Sequence, residues 1–139
     1  MEVRRGDIYI VKRINQVGSE QEGGRPAVIV SNDTGNKFGT TVEIVWLTAS
    51  SKKTMPTHAD VMCKVPSTAL CEQITTVSKE RLIRYVRTCT DEEMNDIDDA
   101  LITSLGLTKD VPSDLVEKYK SEASIYKKLY EELLNMAVG

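Results

Sequence analysis

The chain has 139 residues and a mass of 15.5 kDa, with 40% hydrophobic and 28% charged residues, the make-up of one soluble globular domain with room for a short appendage. Its formal net charge of −3 and sequence pI near 5.3 argue against a generic nucleic-acid binder, which carries a basic surplus. A single histidine, His58, excludes any mechanism that pairs two imidazoles as acid and base.

The N-terminus, Met1-Glu2-Val3-Arg4-Arg5-Gly6, has charges but no apolar run after them, so it is not a signal peptide. Asp7-Ile8-Tyr9-Ile10-Val11 is β-branched and aromatic and reads as a first strand. Asn15 to Gly24 is polar and ends in two glycines, which predicts a flexible loop. Arg25-Pro26 opens a second strand, Ala27-Val28-Ile29-Val30; it is apolar at every position, so both of its faces are expected to be covered. Ser31 to Asn36 is dense in turn and capping residues and predicts a tight turn or one helical turn. Thr41 to Thr48 is a third strand, Ser50 to Lys53 a loop, and Thr57 to Val61 a fourth strand. Short strands are expected at Thr68 to Cys71, Gln73 to Val77 and Ile83 to Arg87.

Helix begins late. Thr90-Asp91-Glu92-Glu93 is a capping box. Met94, Ile97, Leu101 and Leu105 follow at helical spacing, and Gly106 sits where a helix is closed by glycine. Val111-Pro112 breaks the chain. Ser113 or Asp114 can cap a second helix to about Met136, with a narrow apolar seam of Tyr119, Ala123, Tyr126, Tyr130, Leu133 and Ala137. The order is a β-rich body followed by helices, which suits a small antiparallel barrel or sheet with helices on one side.

Three cysteines, Cys63, Cys71 and Cys89, lack the close pairs of a zinc site and read as free, mostly buried thiols in a reducing cytoplasm. No run of apolar residues reaches the roughly 20 of a membrane span. The charge is divided unevenly. Residues 1–65 hold nine Lys/Arg against seven Asp/Glu, and the remaining 74 hold nine against fourteen. A mildly basic body precedes an acidic tail.

Seven motifs stand in order: Arg5-Gly6-Asp7-x-Tyr9, Gly18-Ser19-Glu20-Gln21, Arg25-Pro26, Asn32-Asp33-x-Gly35-Asn36, Thr48-Ala49, Pro56-Thr57-His58 and Glu72-Gln73-Ile74. Each is weak alone. Together, close to family spacing over about residues 3–107, they resemble the MazF/PemK toxin endoribonucleases, especially the Gram-positive branch. The resemblance implies an α+β, mainly β fold: a small SH3-like β-barrel of the CcdB/MazF type with C-terminal helices, assembled as a homodimer in the cytoplasm. It implies the toxin of a type II toxin–antitoxin system that cleaves single-stranded mRNA at short sequences without a metal or cofactor. The products would carry 2′,3′-cyclic phosphate and 5′-hydroxyl ends. A UACAU-like target follows only by similarity to that branch. The partner implied is a MazE-like antitoxin whose acidic, disordered tail covers the RNA groove, and a mildly basic body suits such a tail.

By the same resemblance the catalytic arginine falls on Arg25 and the catalytic threonine on Thr48. The chemistry suits them. A 2′-hydroxyl attacking its neighbouring phosphate needs a proton acceptor, stabilisation of the extra negative charge, and a proton for the leaving 5′-oxygen. A guanidinium grips two phosphate oxygens at once but is a poor proton acceptor, so Arg25 is read mainly as an electrostatic group. Thr48 offers a hydroxyl to orient the phosphate or the 2′-oxygen. Ser19, Glu20 and Gln21 lie in a loop expected to close over RNA with Gly23 and Gly24 as hinge. Asn32, Ser51, Thr57 and Gln73 are candidates for reading splayed bases. His58 is read as structural or RNA-contacting ahead of general base. Phe38 and the tyrosines offer stacking surfaces, whereas Trp46 is expected in the core.

Residues 1–107 are taken as the endoribonuclease domain and 108–139 as a helical extension about which the resemblance says nothing. The extension packs on its own body, strengthens a dimer or meets an antitoxin. Two competing functions remain: a non-catalytic, CcdB-like toxin that binds DNA gyrase, and an inactive decoy that titrates antitoxin.

Overall fold

The computed structural model describes residues 2–13, 23–49, 54–107 and 132. Contacts divide the chain into one unit of Met1–Leu107 and another of Thr108–Gly139. The helix expected from Ser113 to about Met136 falls, apart from Glu132, outside the described residues, as do residues 15–22 and 50–53 of the two expected loops.

Six strands form one antiparallel sheet: β1 (Asp7–Lys12), β2 (Gly24–Ile29), β3 (Thr41–Thr48), β4 (His58–Cys63), β5 (Val65–Ser78) and β6 (Leu82–Thr88), in the spatial order β4-β5-β3-β2-β1-β6. Helix α1 (Asp33–Phe38) links β2 to β3, and α2 (Asp91–Leu105) follows the last strand. The two strands expected over 68–77 are one long strand. Its ladder with β3 breaks instead of ending: Val45 pairs with Ile74 but Trp46 with Leu70, leaving Cys71, Glu72 and Gln73 in a bulge. A bulge bends a strand and steepens its twist, so β5 turns a corner that looked like a gap.

Both faces of the sheet are covered, and alternation sorts the core in two. Ile8, Val28, Val45, Leu47 and Ala69 point to one side and pack with Ile97 and Ala100 of α2. Tyr9, Val11, Ala27, Ile29, Val42 and Ile44 point to the other, with Val77 and Leu82. The all-apolar run of β2 is thus explained, since Val28 serves one cluster and Ala27 and Ile29 the other. Cys63, Cys71 and Cys89 are free and buried. Burial pushes the thiols of Cys71 and Cys89 up to about 11 and about 12, which leaves them un-ionised at neutral pH.

In a flat six-stranded sheet the edges β4 and β6 would stand about 24 Å apart. Here Arg87 of β6 donates from Nη1 to the carbonyl of Met62 on β4 at 2.6 Å. The sheet is therefore curled into a half-barrel whose edges meet through side chains. Glu93 of α2 completes the closure. It accepts from the Met62 amide at 2.8 Å and from Arg87 Nη2 at 2.8 Å, and it also closes the Thr90 capping box. The C-terminal stop falls at Gly106, whose φ of 66° lies in the left-handed region.

Several motif residues turn out to staple elements. The Arg5 amide donates to Asp33 Oδ1 at 2.6 Å, its Nε to the Val30 carbonyl at 2.9 Å, and its Nη2 to Asp98 Oδ1 at 2.6 Å. Buried Asp7 accepts from the Arg4 amide and the Thr88 hydroxyl. Gly6, at φ 94°, makes the turn between them. Buried Asn36 is held by Ser31 and Asp33.

Candidate active site

The sheet register brings the two central candidates together. Ala27 of β2 pairs with Trp46 of β3, and two residues further along these antiparallel strands stand Arg25 and Thr48. Both are half-buried. Arg25 Nη2 donates to the Leu47 carbonyl at 3.4 Å, the oxygen of the peptide that leads into Thr48. Its guanidinium carbon lies over the Trp46 ring, 5.3 Å from the centroid, within cation–π range. Burial first, and then the neighbouring Arg13 cation, lower the Arg25 pKa.

His58 shares this face. It pairs with Leu70, Leu70 with Trp46, and Trp46 with Ala27, and directly paired residues point to the same side. Two strand spacings put His58 about 10 Å from Trp46. Helix α2 packs on the opposite face. The His58 imidazole meets Glu72 of the β5 bulge, Nε2 to Oε1 at 3.0 Å, and the Thr57 hydroxyl donates to Glu72 Oε2 at 3.0 Å. Burial pushes the Glu72 carboxyl up, but its own backbone amide and the bonds from His58 and Thr57 outweigh it, and the group is held below the usual carboxylate value.

The other candidates divide. Asn32 is the N-cap of α1, its Oδ1 accepting from the Gly35 amide at 2.8 Å, so its side-chain oxygen has structural work. Gln73 is exposed on the bulge next to Glu72. Ser19, Glu20, Gln21 and Ser51 lie outside the described residues. Of the stacking candidates, Phe38 is 77% exposed with Lys37 beside its ring, Tyr85 is half exposed, and Tyr9 is buried edge-on against Tyr85. Trp46 stands at the margin of the core: it is half-buried, packs against the second cluster, and its Nε1 donates to Thr75 Oγ1 at 3.2 Å. Its place in a strand expected to be buried gives the inward direction. It carried no information that the apolar cluster thins towards the end of β3, where the site begins. Glu72 was quoted within a motif, yet its role as the group that gathers Thr57 and His58 needs a contact across 14 residues.

A cavity of about 290 Å³ opens beside His58, between Pro56, Asp60 and Thr68 and the α2 residues Asp96 and Asp99. Its carboxylates repel phosphate, and neither Arg25 nor Thr48 lines it. Among the described residues no group of three or more His, Cys, Asp or Glu is arranged to hold a metal.

A curled antiparallel half-barrel that presents a guanidinium beside a strand-end threonine defines the molecule as a small, mainly β domain. Its particular family is equally plain: residues 4–105 match the PemK-like, MazF-like toxins of type II toxin–antitoxin systems, and the chain belongs to that family. It is 40% identical over 113 residues to endoribonuclease EndoA of Bacillus subtilis (strain 168), covering 77% of this chain and 97% of that protein. It is similar at 29% identity and a TM-score of 0.65 to an endoribonuclease from a mycobacterial species solved in complex with its cognate antitoxin, over 78% of this chain and 99% of that one. A MazE–MazF structure from Deinococcus radiodurans superposes with a TM-score of 0.68 at 18% identity, over 78% of this chain and 99% of that one, and shares the fold.

Proposed function

We propose that this chain is the toxin of a type II toxin–antitoxin pair and acts as a sequence-specific endoribonuclease on single-stranded RNA. The carrying observation is the Arg25 guanidinium, held at the Leu47 carbonyl beside Thr48 on one face of the sheet. In the reaction the 2′-hydroxyl loses its proton and its oxygen attacks the adjacent phosphorus. The bond to the 5′-oxygen breaks, and that oxygen leaves with a proton. The products are a 2′,3′-cyclic phosphate and a 5′-hydroxyl. Arg25 binds two phosphate oxygens and stabilises the charge that builds on them. Thr48 orients the phosphate or the attacking oxygen. Both sit on strands, so neither has to be ordered at the moment of reaction.

Thr57 and Gln73 contribute base contacts, together with Ser19, Glu20, Gln21 and Ser51; Asn32 contributes through its amide nitrogen. The chain works as a cytoplasmic homodimer, and its partner is a MazE-like antitoxin with an acidic tail attracted by the basic body. Kinship to endoribonucleases, with EndoA at 40% identity, favours cutting over gyrase binding.

The test is incubation of purified protein with a long mixed-sequence RNA in EDTA, with cleavage ends mapped. Cuts at a short recurring sequence with 5′-hydroxyl ends are expected, abolished by Arg25→Ala and weakened by Thr48→Ala. Intact RNA, or cutting that Arg25→Ala leaves unchanged, overturns the reading.

A further inference from the structure

The only tryptophan of the chain stands at the boundary between core and site. Along one face of β3, Ile44 is fully buried, Trp46 half-buried and Thr48 half-buried. The bulge opposite Trp46 displaces β5, so the ladder resumes only at Val45 and Ile74. That opening lets the indole lean across to Thr75, whose hydroxyl accepts from Nε1 at 3.2 Å and itself donates to the Gln73 carbonyl at 3.4 Å. The ring is thus pinned by packing on its inner side and by a hydrogen bond at its edge.

Arg25 has two supports among the described residues: the Leu47 carbonyl, at a long 3.4 Å, and the face of this ring at 5.3 Å. A long flexible side chain holding a phosphate needs its fork fixed in advance, because each freely rotating bond dilutes the productive geometry. The carbonyl restrains one nitrogen. The ring offers the guanidinium carbon a face to rest over.

We propose that Trp46 is a positioning residue for Arg25: the indole, anchored by Thr75, is the platform that holds the guanidinium ready for the scissile phosphate. This rests on Arg25 acting as the phosphate-binding group. The residue does not touch the reacting atoms. Its effect reaches them through Arg25, and it belongs in kcat more than in KM.

Trp46→Leu keeps an apolar side chain, though a smaller one, and removes the π face, whereas Trp46→Phe keeps a face and removes the Nε1 donor. With a short single-stranded RNA containing the mapped site, Trp46→Leu is expected to lower kcat about tenfold with KM little changed. Trp46→Phe should restore most of the loss. In an Arg25→Lys background Trp46→Leu should cost much less, as expected for two residues acting as a unit. Because Trp46 is the sole tryptophan, its fluorescence reports the same contact in the wild-type fold, and Arg25→Ala should shift the emission. Full kcat in folded Trp46→Leu overturns the proposal. So does a loss confined to KM, which assigns the ring to base stacking, or an emission spectrum indifferent to Arg25→Ala. Should Trp46→Leu fail to fold, the fluorescence of Arg25→Ala and the kcat of Trp46→Phe still decide. If Arg25→Ala itself leaves cleavage intact, the proposed function fails first and is recognised as such.

Discussion

Arg25 draws its use from where its neighbours stop. The residue before it, Gly24, pairs with Lys12 at the end of β1, and a Cβ there would come within 2.7 Å of the Val11 carbonyl carbon and 2.8 Å of Ile10 Cγ2. Those obstacles are backbone and a branched side chain packed in the sheet, which yield little. Gly24→Ala is therefore expected to push β2 off β1 at the point that aims Arg25. Urea unfolding should show a loss of about 1–3 kcal/mol, and RNA cleavage should fall further than the folded fraction does. Wild-type activity in a folded Gly24→Ala protein would contradict this. The glycine pair was read from the sequence as a hinge, and Gly24 proves to be the first residue of β2, with close packing as its reason. Other single residues were legible to different degrees. Thr90, Glu93 and Gly106 announce themselves because capping is decided within four positions of chain. Asn32 and Thr57 do not. Both are polar residues in turns, and only their spatial partners, the Gly35 amide and the Glu72 carboxylate, decide what their oxygens do.

Strands and helices follow the local pattern closely where the pattern is local. β3 spans Thr41 to Thr48 as its β-branched run predicts, and α2 starts behind its capping box. β5 reads as two strands in the sequence because the bulge at Cys71-Glu72-Gln73 interrupts the strand pattern. The closure of the half-barrel is likewise non-local. Glu93 lies in the first turn of α2, Arg87 on β6 and Met62 on β4, and the carboxylate serves as cap, ion-pair partner and edge acceptor together. Burial acts to raise its pKa, but the bonds from Arg87 and from the Thr90 and Met62 amides prevail and hold it at about 2. A carboxylate depressed on folding adds stability that is complete above its unfolded pKa, near 4.5, and is lost as pH falls towards 2. Glu93→Gln is thus expected to destabilise the protein by about 2–3 kcal/mol at pH 7. Urea titrations at pH 7 and pH 3 check it: the gap between wild type and variant should shrink markedly at the lower pH. A gap that stays constant would show that Glu93 acts through shape alone.

For the whole molecule, charge and extent matter more than any single contact. The net charge of −3 is not spread evenly, and residues 1–65, which contain Arg25 and Thr48, carry a surplus of two positive groups. That surplus suits a groove a few nucleotides long and is too small for strong nonspecific binding. Among the described residues no helix is long and apolar enough to cross a membrane. The family match stops at residue 105, and the first compact unit at Leu107. A chain ending at Leu107 is therefore expected to fold and to cut the same RNA sites within about threefold of the full-length rate, since both cores and the Arg25 face lie inside it. Loss of folding in that truncation would make residues 108–139 part of the domain.

The sequence by itself determined a β-rich body followed by helix, the caps of α2, the two-sided burial of β2 and, through seven ordered motifs, the family. These are properties carried by residue type and spacing, and spacing along the chain is what periodicity and motifs record. Only the tertiary structure decided that β5 bends instead of ending, that Arg87 and Glu93 close the curled sheet, and that Trp46, at the margin of the core, meets Arg25. Each of those depends on groups far apart in sequence meeting within hydrogen-bond or ring-contact distance. Such meetings are set by the twist and register of a whole sheet, which no local stretch of residues encodes.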